Sequence, residues 1–356
     1  MARLALPIIA ISSLIFAGCP SSGPPPPPPS TSPPASVSVP VAPAELAHVG
    51  SDGGVIDHID AAPPETSPRF DVAAILFPDA ATTLPGAARC AAIAAEGERA
   101  RCSFGARYEA DPEALRIAWE LYESSGDVAG VQVEQDMDGG FRGRIHLVPE
   151  PPMGKHRRHL AWIAGARRDF DAFFAAIAPQ ATAPVRYRHR PLAYRFFRSV
   201  GRTTPSAYAE GWTVSYNVSG SLHASAEAVR DTIFHEVFHL NDQDHDDWSK
   251  RALGAIFDAI VARCGTRVSC LRPYAPGDTM VRGGTYYAFQ PDNGESVHEY
   301  AAELALRYFI EQRAALAGEK PRKPPFKCGP EENRRAWAAL IAEFFGGADA
   351  TPPCPG

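Results

Sequence analysis

Residues 235–239 read His-Glu-Val-Phe-His. Two histidines four apart lie on one face of a helix, with Cβ atoms about 5–6 Å apart. Imidazoles at that spacing can bind one metal ion. Glu236 is offset by one residue, where its carboxylate can take a proton from a water on that ion. The chemistry implied is metal-assisted hydrolysis, with His235 and His239 as ligands and Glu236 as general base.

Such a site needs a third protein ligand, and the sequence offers two. Glu299 lies in Val-His-Glu-Tyr-Ala-Ala-Glu, residues 297–303. Ala301, Ala302 and Ala305 would let this second helix approach the first closely. Glu303, one turn on, could accept the second ring N–H of a ligand histidine. Ser296-x-x-Glu299 also reads as a capping box, but Asp292-x-x-Glu295 offers the same cap a turn earlier. The other candidate is His245, six residues after His239. That is the spacing of HExxHxxGxxH sites, in which a glycine makes the turn that returns the third histidine. Asp242 stands at the glycine position, and Met280 does not sit in a convincing methionine turn. Asp242, Asp244, Asp246 and Asp247 read as a solvated acidic face, without EF-hand spacing.

The elements that must position these residues follow from patterning. Ser225 caps a helix running to about residue 241, with Val229, Ile233, Val237 and Leu240 as its apolar stripe. Further helices are expected at residues 86–101, 111–124, 155–178, 246–264 and 296–313, with a last one from Pro330 to Gly346-Gly347. Residues 128–134 and 141–148 read as a hairpin turning at Asp138-Gly139-Gly140. Strands are expected at residues 192–200 and 211–218. The fold class is α+β: a small mixed sheet, an active-site helix and a second ligand-bearing helix.

Residues 1–18 resemble a lipoprotein signal peptide. Arg3 precedes an apolar run from Leu4 to Phe16, and Phe-Ala-Gly leads into Cys19, the candidate lipidation (palmitate) site. Residues 19–69 form a Pro-rich stretch expected to be a disordered stalk; residues 20–45 alone hold eleven of the 35 prolines. The remainder divides into residues 70–200, a metal-binding core at 201–320 and a C-terminal helix at 321–356. Cys90, Cys102, Cys264, Cys270, Cys328 and Cys354 are expected to pair as sequential neighbours in an exported chain. The net charge of −6, with no basic run, argues against nucleic acid as a partner.

HExxH followed about sixty residues later by ExxAE resembles the gluzincin zinc metallopeptidases, most closely the anthrax-lethal-factor-like catalytic domain. The likeness lies in FHEVFHLND, GTYYAF and HEYAAELALRYF, within residues 205–312. It implies a zincin-like fold, Zn²⁺ held by His235, His239 and Glu299, and Glu236 as base. It also implies an oxyanion-stabilising tyrosine, here Tyr286 or Tyr287, although both lie further from the glutamate than in the family. The chain is thus expected to be a zinc metalloendopeptidase acting on peptide or protein substrates. Its lipid anchor would hold it in the bacterial cell envelope, at the outer membrane. The alternatives are a surface-binding lipoprotein that keeps zinc without turnover, and a metzincin-like peptidase with His245 as third ligand.

Overall fold

The computed structural model describes residues 70–79, 85–139, 143–281, 284–291, 296–321 and 323–355. The expected signal segment, Cys19, the Pro-rich stretch to residue 69, Gly140 of the expected turn and the Asp292–Glu295 cap lie outside them. Within the described residues the chain is mixed α+β, with ten α-helices and six strands.

The sheet is built around β4 (Ala193–Ser199). On one side β4 runs parallel to β6 (Thr213–Asn217), with Ala193 opposite Thr213. On the other side it pairs first with β1 (Val128–Val131), in parallel, and then with β3 (Arg144–Pro149), antiparallel. The outer strands are β2 (Gln135–Asp138), beside β3, and β5 (Ala207–Glu210), beside β6. The hairpin expected from residue 128 onward is therefore made one segment later, by β2 and β3. Burial explains the difference. Val-Ala-Gly-Val of β1 is apolar on both faces and buried throughout, which suits an inner strand, whereas β2 buries Met137 alone. Gly130 permits this placement, because a Cβ there would lie 2.0 Å from the Ile75 carbonyl oxygen of α1 (Val72–Leu76).

Strands β5 and β6 are joined by Gly211-Trp212, both at positive φ (55° and 60°). A two-residue turn of this hand matches the twist of the flanking strands. Trp212, expected inside a strand, is therefore a turn residue, and β5 was not foreseen. The Arg188 guanidinium lies 3.6 Å from the Trp212 ring centroid, and its indole N–H donates to Asp244 Oδ2 at 2.9 Å. These contacts hold a bulky residue in a conformation it rarely adopts.

Helices cover the larger core. Asp111 caps α4 (Pro112–Ser125), its carboxylate accepting from Ala114 N. The apolar face of α5 (Arg157–Ile177) buries Leu160, Ile163, Phe170, Phe173, Phe174 and Ile177. Ser225 caps α6 (Ala226–Asp244), accepting from Ala228 N. Then follow α7 (Trp248–Cys264), the short α8 (Val268–Leu271), α9 (Ser296–Leu316) and α10 (Glu331–Phe344). Where α5, α6 and α9 meet, Phe234 stacks on Phe309 with ring centroids 4.3 Å apart, and Phe170 packs edge-on against both. Met137, Ile145, Leu147, Phe197 and Tyr208 form a second, smaller core around the outer strands.

The single helix expected at residues 86–101 is two, α2 (Pro85–Ala91) and α3 (Glu96–Arg107). The Cys90–Cys102 disulfide requires the break. Twelve residues of unbroken helix would hold the cysteines about 18 Å apart, whereas their Cα atoms are 5.4 Å apart. Cys264–Cys270 and Cys328–Cys354 complete the expected neighbour pairing. Loop-closure entropy ranks them. Replacing both cysteines of the 26-residue separation by serine is expected to cost about 3.5 kcal/mol, and those of the 6-residue separation about 2 kcal/mol. Urea unfolding of the two double variants measures the order.

Candidate metal centre

Helix α6 presents His235, Glu236 and His239 inward from its middle, where all three are buried. Its flanks fix its rotation. Asn241 exchanges hydrogen bonds with the Arg188 backbone at 2.7 and 2.8 Å, and Tyr187 donates to the Phe234 carbonyl at 3.2 Å. Before the helix, His223 stacks on Tyr216 at 3.9 Å and shares a hydrogen bond with the Asn217 carbonyl at 2.8 Å. Burial pushes His223 down to about 3, so it stays neutral.

Helix α9 crosses α6 and brings Glu299 to the pair. Its buried Ala301, Ala302 and Ala305 admit the close approach. Glu299 Oε2 lies 3.2 Å from His235 Nε2 and 3.8 Å from His239 Nε2, and the two imidazole nitrogens are 3.1 Å apart. Atoms sharing one tetrahedral zinc at about 2.0–2.1 Å stand on the order of 3.3 Å from one another, so this triangle has the size such an ion needs. Among the described residues, no other group of three His, Cys, Asp or Glu side chains converges in this way. One further atom supports the fit: Glu236 Oε2 is buried beside the triangle without a hydrogen-bond partner, a costly state for a carboxylate oxygen. His235, His239 and Glu299 could thus hold a metal ion.

Glu303, one turn beyond Glu299, reaches the far side of His235, with Oε1 3.4 Å from Nδ1. Gly277 keeps it there. A Cβ on Gly277 would lie 2.0 Å from Glu303 Oε2, so the loop backbone rests against the carboxylate and a side chain there would push it aside. The same loop returns as a narrow hairpin, with Met280 bridged to Tyr286 and Tyr287 N donating to the Thr279 carbonyl at 2.9 Å. Of the two candidate tyrosines, Tyr286 is buried in the apolar core, whereas the Tyr287 ring lies 6.0 Å from that of His235. The Tyr287 hydroxyl interacts with the Glu299 carboxylate both through charge and as a hydrogen-bond donor.

The structure does not bring His245 to the pair. It caps the end of α6, its Nδ1 2.6 Å from Glu343 Oε1 and its ring 4.7 Å from that of Phe344 in α10. Nor is Asp242 part of a solvated face. It is fully buried, accepting from Ser249 N at 2.7 Å and Ser249 Oγ at 2.6 Å, with His298 Nδ1 at 2.8 Å. Asp244, Asp246 and Asp247 are exposed. Sequence reading missed Gly277, visible only as one glycine of a loop. It also missed Thr232, Asp231, Arg307 and Ile310, which line a cavity of about 380 Å³ beside His235 and Glu236. Arg307 and Ile310 do recur at helical spacing from Glu303, so that signal was present.

No family model, curated protein or solved structure matches this chain. The case for the site therefore rests on its own geometry and electrostatics. Burial alone would lower His235, but hydrogen bonds and charge from Glu299 and Glu303 outweigh it and raise it to about 10. His239 is lowered by burial to about 4 and is neutral. Burial raises Glu236 to about 8. Without metal, then, His235 carries a proton between two carboxylates. Its folded value exceeds the ordinary 6.5, so its contribution to stability is complete below about pH 6.5 and is lost as pH rises through about 10.

Two measurements follow. Zinc content by atomic emission is expected to be lost in Glu299→Ala and His239→Ala and retained in His245→Ala. Metal binding at pH 7 is expected to release at least one proton, that of His235, and up to two where Glu236 also ionises beside the cation. Calorimetry in buffers of different ionisation enthalpy counts them.

Proposed function

We infer that this protein is a zinc metallopeptidase of gluzincin type, with a zincin-like catalytic domain. The observation that carries the reading is the convergence of His235, His239 and Glu299 with a buried, unpartnered Glu236 carboxylate beside them. Two imidazoles and one carboxylate suit zinc among the common divalent ions, and three protein ligands leave the fourth position that a catalytic site needs. When bound, zinc supplies a Lewis acid that polarises a carbonyl and lowers the pKa of water to about 7.

The chain's own groups supply the rest. Glu236, raised to about 8 by burial, matches a proton acceptor that must also give the proton back. It takes the proton of the attacking water and delivers it to the leaving amine. The Tyr287 hydroxyl, held well above its ordinary value by burial, remains a donor for the oxygen on which negative charge develops. Glu303 orients His235, and the loop at Gly277 holds Glu303.

A surface-binding protein that merely stores zinc has no use for Glu236 in this position, which favours the enzyme. The same reading places the domain outside the cytoplasm, anchored through Cys19. Three disulfides support an oxidising compartment. No described helix is long and apolar enough to cross a membrane.

The test is Glu236→Gln. Hydrolysis of a denatured protein substrate is expected to fall by roughly 10²–10⁴-fold at unchanged zinc content. Undiminished cleavage by that variant would refute the assignment.

A further inference from the structure

The cavity beside His235 and Glu236 does not end at the metal group. A second cavity, of about 250 Å³, lies along α9 and shares Arg307 and Ile310 with the first. Ile310 is one of two large hydrophobic side chains exposed among the described residues. Glu303, Arg307, Ile310 and Ala314 recur at helical spacing, so one face of α9 forms the floor from the metal group outward. From Glu303 to Ala314 the helix rises about 16 Å.

The surface of this path is mainly apolar, and its charged groups are paired or exposed. At the junction the Arg307 charge is taken up by Glu311, 2.6 Å from Nε. Glu311 also accepts from Phe326 N at 3.1 Å. Beyond the junction the apolar wall is made by Ala314, Ala315, Pro321 and Pro325, and proline offers no N–H; Glu319 and Lys323 also line it but are exposed, and the Thr351 hydroxyl donates to Asp349 at 2.6 Å. Over the rim, Asp278 of the first cavity pairs with Lys323 of the second at 3.8 Å, both well exposed. Solvent competes effectively for an exposed pair of this kind, so it closes the rim only weakly.

We propose that the two cavities form one channel, which binds an extended, apolar stretch of an unfolded polypeptide for about five residues beyond the reacting bond. The estimate is the 16 Å floor divided by about 3.3 Å per extended residue. Continuity with the metal group, the paired charges at the junction and the mainly apolar inner walls select this occupant over a charged or small-molecule ligand. The inference rests on the peptidase reading and sharpens it: the substrate is a long chain cut internally, and Ile310 and Arg307 set the preference at the junction.

The experiment uses the zinc-loaded full chain with two end-blocked peptide pools rich in apolar residues, decapeptides and tetrapeptides. KM for the decapeptides is expected to be roughly tenfold lower, the effect of burying one or two further apolar side chains. Ala314→Trp, which fills the second cavity, and Ile310→Glu, at an exposed position that leaves the core untouched, are each expected to collapse that ratio towards one. Zinc content should remain unchanged. Equal KM values for the two lengths in the native protein, or a ratio unmoved in both variants, would overturn the channel. If neither pool is cleaved, the peptidase reading fails by itself. Fluorescence anisotropy of labelled decapeptides then decides the channel: binding that Ala314→Trp abolishes sustains it, and absent or unaffected binding overturns it.

Discussion

The crossing of α6 and α9 is the constraint on which the rest of the structure depends. It places a carboxylate and two imidazoles within 3.8 Å of one another, all three buried. Such groups repel the interior unless something compensates them. Compensation comes from their mutual contact and from apolar packing one residue away. Phe234, the immediate neighbour of His235, lies flat on Phe309 of α9 and against Phe170 of α5. Three alanines on α9 give the separation, and the aromatic contact resists sliding. The sheet contributes indirectly: Arg188, ahead of β4, exchanges hydrogen bonds with Asn241 near the end of α6, and Tyr216 of β6 stacks on His223 just before its start.

The two histidines are not equivalent, and the asymmetry arises on α9 rather than α6. His235 stands between Glu299 and Glu303 and favours the charged form, whereas His239 meets burial with less compensation and stays neutral. Charge in the centre is therefore concentrated on the side that opens into the cavity, where Glu236 and Tyr287 also lie. His239, on the closed side, is backed by the Asp242–His298 pair, which ties α6 to α9 a turn further along.

Much of this was legible in the sequence, for identifiable reasons. The helices of the site announce themselves through caps and apolar spacing, and Glu299 through the small residues beside it. Disulfide pairing was legible because each loop is short. What failed were inferences in which neighbours in sequence were taken as neighbours in space. Residues 128–134 lie just ahead of turn residues and so read as the first arm of a hairpin, but the apolar character of 128–131 on both faces sends them to the middle of the sheet. Trp212 reads as strand because its φ is set by Arg188 and Asp244, residues distant in sequence. Asp242 belongs to an acidic run by composition, yet it lies on the inward side of the helix, opposite donors that no local pattern reveals. Glu299 and His245 could not be separated by spacing alone, because the choice depends on the crossing of two helices.

Gly277 has no functional group, and for that reason it carries a consequence of its own. The Glu303 carboxylate occupies the volume in which any other residue would begin its side chain. A larger residue there would keep the fold but swing that carboxylate away, because the only atom in its path is the free end of a flexible side chain. The residue binds nothing and donates nothing, yet it bears on His235 through the place it leaves open: what it contributes is an empty space with the dimensions of an oxygen atom.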